Sequence, residues 1–456
     1  MFRRILIANR GEVAARILRT CKRMGIEAVA VASSADREHR WLADADRVVT
    51  LGPPKAADSY LDAAALIEVA RSTGCSAVHP GWGFLAENAT FATRCEAAGI
   101  TFVGPSPRAI RRMGDKALAR DTMASLGMPI IPGTKSVIAD VGAAASAAES
   151  VGYPVLLKAV AGGGGRGMRV VAGPADLQAA WSEAVSESMS SFGDGRMYLE
   201  KLIVGGRHIE VQVVADRYGD TVVLGERECS LQRRHQKVLE EAPSVGLSAS
   251  ERDRILPLVA KVVTAAGYVN AGTVEMLLDA TGNLYFMEMN TRLQVEHCVT
   301  EAVTGVDLVE WQLRVAANEP LPMAQADIQV RGHAIECRIN AEDPDDGFRP
   351  SPGVVRVLAL PEGEGIRVDT HLRSGDRIPP NYDSMVAKVI AHGDNRDQAI
   401  SRMSDALANT RIEGVKSNIA LHQRILRWAP FTSGQYDTKS LEVGLQHDLS
   451  AEVGAG

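Results

Sequence analysis

Cysteine is scarce. Six residues (Cys21, Cys75, Cys95, Cys229, Cys298 and Cys337) are scattered through 456 positions, and no two form a Cys-x-x-Cys pair. That spacing argues against a zinc site and against a disulfide framework, and it fits reduced thiols in a cytoplasm. Charge of one sign is also missing: 50 Lys and Arg stand against 56 Asp and Glu, a formal net charge of −6. The chain therefore has no basic excess for nucleic acid. No apolar run reaches membrane-spanning length, and the short one after Met1 runs into Asn9-Arg10-Gly11 rather than a signal-peptide cleavage site. These absences predict a soluble cytoplasmic protein with neither membrane nor nucleic acid as partner.

At roughly 150 residues per domain the length predicts about three domains. Residues 1–113 alternate strand and helix. Ile5–Ile7 reads as a strand, and Gly11 turns the chain into a helix with Val13, Ile17, Leu18 and Met24 at helical spacing. Further strands at Glu27–Ala32, Ala77–His79 and Ile100–Val103 imply a largely parallel sheet covered by helices. Residues 114–330 form a second, strand-rich unit that begins with a smaller part of its own. A third unit spans 331–446, and a flexible tail is expected over 447–456, where the small, polar residues Ser450–Gly456 predict fraying. The fold class is thus mixed: α/β in the first unit, α+β beyond it.

Three patterns carry chemistry. Gly162-Gly163-Gly164-Gly165-Arg166-Gly167 links a strand ending at Lys158 to another beginning at Met168. It opens no helix, so it is neither a Walker nor a Rossmann loop. It reads equally as a mobile surface loop or as a hairpin whose N–H groups cradle phosphates. The second pattern is Gly272–Asp279 and Asn283–Asn290, joined by Asp-Ala-Thr-Gly-Asn. A two-residue turn at Thr281-Gly282 places Glu275 opposite Glu288. Facing carboxylates repel unless a cation lies between them, and Mg²⁺ takes one or two carboxylates plus phosphate oxygens. Asn290 and Arg292 then share the face of Glu288. The alternative is a solvated hairpin face. Third, Arg207–Ala215 alternates His208, Glu210 and Gln212 against Ile209, Val211 and Val213, and a Gln232-Arg233-Arg234-His235-Gln236-Lys237 cluster follows. An exposed strand face and an anion-binding loop both fit.

Longer segments resemble the biotin carboxylase family of ATP-grasp enzymes: IANRGEVAARI from Ile7, HPGWGFLAEN from His79, MGDK from Met113 and KAVAGGGGRGMRVV from Lys158. ERECSLQRRHQKVLEEAPS from Glu226, EMNTRLQVEH from Glu288 and RGHAIECRINAEDP from Arg331 complete the series, which covers about residues 3–445. The resemblance implies a Rossmann-like pre-ATP-grasp domain, an ATP-grasp core with a mobile lid at about 132–203 and a C-terminal biotin carboxylase domain. It implies that Lys116 and Lys158 contact ATP phosphates under the Gly163, Gly164, Gly165, Gly167 and Met168 loop. Glu200, Lys201 and Leu202 frame the adenine, with His208, Gln232 and His235 along the nucleotide. Glu275, Glu288 and Asn290 ligate Mg²⁺ or Mn²⁺. Lys237 and Arg292, with the backbone at Gln294-Val295, hold bicarbonate. Glu296 is the general base, Arg338 stabilises the biotin enolate, and Trp82 lies near the biotin pocket.

Three positions depart from the family pattern: Trp82 replaces Tyr, Cys298 replaces Pro, and Gly205-Gly206 adds glycine that could loosen the lid hinge. No Met-Lys-Met segment of the biotin-accepting kind is present. The expected partners are therefore a separate biotin carboxyl carrier protein and carboxyltransferase subunits of an acetyl-CoA or other acyl-CoA carboxylase. A homodimer is implied as well, with Arg16 and Arg19 on the first helix either at its interface or merely solvated.

Overall fold

The computed structural model describes residues 1–134, 136–161 and 167–449. Gly163, Gly164 and Gly165 fall outside the described residues, as does 450–456. A five-stranded parallel sheet opens the chain, in the order Arg47–Gly52, Glu27–Ser33, Arg4–Ile7, Ala77–His79, Thr101–Phe102. Ile5, Leu6 and Ile7 are wholly buried, as a strand covered on both faces requires. The helix Gly11–Arg23 buries Val13, Ile17, Leu18 and Cys21; Met24 is its C-cap, and Gly25 leaves it at φ +68°. The loops after Ile7 and His79 lie at the carboxyl ends of adjacent strands, where open α/β sheets present ligand sites.

An eight-stranded antiparallel sheet forms the centre, ordered Leu284–Asn290, Asn270–Leu278, Arg207–Ala215, Thr221–Arg233, Gln236–Ala242, His333–Asn340, Met385–Gly393, Ile366–Thr370. It runs without a break across position 331, because Gln236–Ala242 pairs with His333–Asn340. Ile209, Val211 and Val213 pack with Phe286 and with Val259, Val262 and Val263 of the helix Ala249–Ala265. A three-stranded sheet (Met168–Val171, Val155–Ala159, Met197–Lys201) with the helices Val141–Val151 and Leu177–Phe192 has its own core around Leu157 and Leu199. Packing continues past 446: Leu449 is buried, and Asp448 accepts a bond from Trp428 Nε1 at 2.9 Å. Among the described residues no helix is long and apolar enough to cross a membrane. All six cysteines are free and buried.

Glu241 ties the sheet to the C-terminal helices. It accepts from His333 Nε2 at 2.6 Å, Arg396 Nε at 2.7 Å and the Tyr436 hydroxyl. Burial opposes its ionisation, but these donors outweigh burial and hold its carboxyl at about 2 against an ordinary 4.5. A depressed carboxyl stabilises the fold above its unfolded pKa and loses that contribution as pH falls through the folded one. Wild type is therefore expected to lose about 3 kcal/mol between pH 4.5 and 2 that Glu241→Gln does not lose. Urea midpoints across that window check this, and parallel pH curves for the two proteins would refute it.

Candidate active site

A cavity of about 400 Å³ opens between the parallel sheet, the eight-stranded sheet and the three-stranded unit. Its metal-competent wall is the hairpin Asn270–Leu278/Leu284–Asn290, where Glu275 pairs directly with Glu288. The route to that register differs from the two-residue turn expected. Leu278 pairs with Leu284, leaving a five-residue turn capped by Asp279 Oδ1, which accepts from the amides of Thr281 and Asn283, each at 2.9 Å. A bulge between Met276 and Glu275 then restores the register. Glu275 Oε1 accepts from Asn290 Nδ2 at 2.6 Å, and Glu288 Oε2 lies 2.7 Å from Lys116 Nζ. Burial raises the Glu275 carboxyl to about 7 despite Lys237 and His208. Burial also opposes ionisation of Glu288, yet Lys116 and Lys158 hold it at about 2. Two carboxylates and the Asn290 amide oxygen form an all-oxygen donor set suited to a hard divalent cation.

Beside this pair the strand Arg207–Ala215 alternates as expected, but its polar face is wholly buried. It forms the floor of a charge network. Glu210 accepts from Lys237 and from Arg227 NH2 at 3.0 Å, while His208 Nε2 lies 3.0 Å from its Oε1. Lys237 Nζ also donates to Glu275 Oε1 at 3.2 Å and Glu296 Oε1 at 2.6 Å. Arg338 NH2 reaches the other oxygen of Glu296 at 2.9 Å, and its Nε donates to Glu240 at 2.6 Å. Glu296 is 1% exposed; burial and Glu210 disfavour its charge, but Lys237 and Arg338 prevail and keep it ionised.

Of the residues expected to meet a nucleotide, Lys116, Lys158, Met168, His208, Gln232 and His235 all line the cavity. Lys158 Nζ is 2.9 Å from Glu200 Oε2, and Arg120 takes the other oxygen of Glu200. Glu200, Lys201 and Leu202 lie outside the lining: Lys201 Nζ donates to the carbonyls of Gly152 and Tyr153, and the Leu202 amide to Pro154. Gly167 takes φ +71° and leaves no room for a Cβ, which would come within 2.6 Å of the Ala159 methyl. Arg234 and His235 form the turn between paired Arg233 and Gln236, both at positive φ, the conformation of a tight hairpin turn.

The Thr291–Glu296 loop closes the cavity. Glu87 accepts from the Thr291 amide at 3.1 Å and from Arg292 Nε at 2.9 Å, and Arg292 NH1 donates to Gln294 Oε1 at 2.9 Å. The Val295 carbonyl accepts from Lys388 Nζ at 2.9 Å. Trp82 lines the same cavity, half-buried. Sequence reasoning missed Glu87, Arg120, Glu240 and Lys388 as site residues and left Glu210 as one member of a strand face. For Glu210 the alternation was the available signal; the other four are brought in by tertiary contacts alone.

The departures have local causes. Gly205 takes φ +68°, and a Cβ on Gly206 would approach Leu277 Cδ1 to 2.9 Å, so the first glycine serves a left-handed backbone and the second a close approach. Cys298, fully buried in the helix His297–Thr304, lies 3.3 Å from Asp369 Oδ2, and burial keeps its thiol protonated. Arg16 is not a solvated residue: it is 4% exposed and paired with Glu301 at 2.8 Å and Asp307 at 3.0 Å. Arg19, half exposed, pairs with Asp369.

Known proteins resemble this chain over nearly its whole length. Three family models match in succession: the biotin carboxylase N-terminal domain over residues 1–110, the ATP-binding domain of the carbamoyl-phosphate synthase L chain over 115–324, and the biotin carboxylase C-terminal domain over 336–443. Biotin carboxylase 1 of Bacillus subtilis is 49% identical over 443 residues, 97% of this chain and 98% of that one. The chain belongs to the biotin carboxylase family. Among solved structures, the biotin carboxylase–βγ-ATP complex of Campylobacter jejuni aligns at TM-score 0.95 and 44% identity, covering 97% of this chain and 99% of that one. The biotin carboxylase domain dimer of Hydrogenobacter thermophilus 2-oxoglutarate carboxylase, with MgADP, ADP and bicarbonate, aligns at 0.95 and 45%, covering 99% of each. The family makes this chain an ATP-grasp ligase with biotin carboxylase activity.

Arg227 supports the whole network, with donors on Glu210, Gln212, Thr300 and Thr273 and no exposure. Arg227→Met leaves Glu210 short of a buried counter-charge and is expected to cost about 3–5 kcal/mol in chemical denaturation. A loss below about 1 kcal/mol would show that Lys237 and His208 suffice.

Proposed function

We propose that the chain carboxylates biotin on a separate carrier protein, using MgATP and bicarbonate and passing through carboxyphosphate. The carrying observation is the placement of ionised Glu296 between Lys237 and Arg338, in one cavity with the Glu275–Glu288 pair. Bicarbonate is a poor electrophile and must first attack the γ-phosphate of ATP. Glu296 is placed to take the bicarbonate proton, while Lys237 and Arg292 hold the anion near the Gln294-Val295 backbone. Lys116 and Lys158, with the Gly163–Gly167 loop, neutralise the phosphates. Mg²⁺ on Glu275, Glu288 and Asn290 supplies further charge neutralisation during phosphoryl transfer. Carboxyphosphate decays in water, so the three-stranded unit acts as a lid that keeps water out. CO₂ released from it meets a ureido nitrogen whose proton passes to phosphate. Arg338 stabilises the enolate oxygen, and Trp82 borders the biotin ring.

The reading places Glu200, Lys201 and Leu202 around the adenine and His208, Gln232 and His235 along the nucleotide. It also assigns a homodimer, supported by the dimeric domain from Hydrogenobacter thermophilus, and a cytoplasmic location, supported by the six free thiols. The final acceptor is chosen by carboxyltransferase subunits, with acetyl-CoA or another acyl-CoA the class we assign. A 2-oxoglutarate carboxylase subunit is 46% identical to this chain, so the biotin half-reaction is shared among acceptors.

The primary test is ADP release from MgATP with and without bicarbonate, then with free biotin added. Bicarbonate dependence and acceleration by biotin are expected; ADP release without bicarbonate overturns the reading. Glu296→Gln should cut bicarbonate-dependent turnover by about 10²–10⁴-fold while leaving nucleotide affinity nearly intact, and equal loss of both refutes its role as base. Arg338→Ala should slow biotin carboxylation more than bicarbonate-dependent ATP cleavage. Parallel loss would assign Arg338 to holding Glu296 and Glu240 instead.

A further inference from the structure

Lys388 is a fully buried cation that the reaction scheme leaves without a task. It projects from the strand Met385–Gly393, between cross-strand neighbours Arg338 and Asp369. Its aligned hydrogen bond, at 2.9 Å, goes to the Val295 carbonyl. The counter-charge Glu12 lies 3.0 Å away but without the alignment of a hydrogen bond. Glu12 belongs to the first helix, Val295 to the loop before helix His297–Thr304, and Lys388 to the C-terminal strands, so all three sequence units meet at one ammonium. Burying an ammonium is costly unless it is paired and bonded, so this contact is a constrained one.

The Val295 carbonyl is part of the peptide that leads into Glu296. Lys388 therefore grips the carbonyl immediately before Glu296, the residue whose side chain Arg338 and Lys237 hold. With Glu87 on Arg292, every named contact of this loop fixes its position relative to the cavity.

We propose that Lys388 is a positioning residue that sets the Val295–Glu296 peptide, and with it the bicarbonate subsite, without touching substrate. The inference rests on the function assigned above. A reactant displaced by about 1 Å loses about 10²-fold in rate, and that is the scale expected here.

The test uses the full chain and bicarbonate-dependent ADP release, with wild type as the control: if wild type shows no bicarbonate dependence, the functional reading fails before the variants are compared. Lys388→Met is expected to lower kcat/KM for bicarbonate about 10²-fold with KM for MgATP within about twofold. Glu12→Gln, which keeps the Lys388–Val295 bond, should leave KM for bicarbonate within about twofold. The double variant Glu12→Gln/Lys388→Met removes both members of the Glu12–Lys388 pair and should recover thermal stability but not bicarbonate kinetics. Recovery of both, equal changes in the two KM values, or a tenfold rise in KM for bicarbonate in Glu12→Gln alone would each overturn the proposal and leave Lys388 as a packing charge; the last arm stands even if Lys388→Met does not fold.

Discussion

One ammonium balanced against three carboxylates organises the cavity. Lys237 faces Glu210, Glu275 and Glu296, all buried, at the point where three strands of the central sheet and one loop converge. Opposite charges a few ångströms apart attract strongly where water is excluded, so this grouping fixes protonation states as well as positions. Glu210 and Glu296 stay ionised, while burial leaves Glu275 with a carboxyl near 7. The carboxylate with the weakest claim on Lys237 is the one that faces Glu288 across the hairpin, where a further cation has most to offer.

Such a balance needs rigid supports, and the eight-stranded sheet supplies them. Its continuity through Gln236–Ala242 and His333–Asn340 places Lys237, Glu240 and Arg338 on adjoining strands, so residues about 100 positions apart share one hydrogen-bonded frame. Glu296 alone comes from outside the sheet. It stands immediately before the helix His297–Thr304, where a negative charge is favoured by the exposed N–H groups of the first turn.

Much of this was legible in the chain. Period-two alternation identified the faces of Arg207–Ala215, and turn chemistry located the hairpin that opposes Glu275 to Glu288. The correct pairing was reached through a wrong turn, however: the longer turn shifts the register by one residue and the bulge shifts it back, and nothing local distinguishes that pair of irregularities from a tight turn. Contacts such as Glu87 on Arg292 or Arg120 on Glu200 join positions 205 and 80 residues apart, and no periodicity reports them. The same holds for Gly206, whose need for glycine comes from Leu277. A family pattern can show that a residue type is unusual there, but only packing says what it accommodates.

The arrangement also gives Glu200, Glu210 and Glu296 more than one cation each. Glu200 pairs with Lys158 at one oxygen and Arg120 at the other; Glu210 pairs with Lys237 and Arg227; Glu296 pairs with Lys237 and Arg338. In each case one cation lines the cavity and, for Glu200 and Glu210, the second is sealed behind it. If Lys158 or Lys237 turned toward an anion in the cavity, Glu200 and Glu210 would each keep a buried guanidinium and not be left as isolated charges, which would be costly at this depth. The division suits the two side chains: the planar guanidinium gives fixed, multiply bonded support, and the flexible ammonium is the group able to change partners.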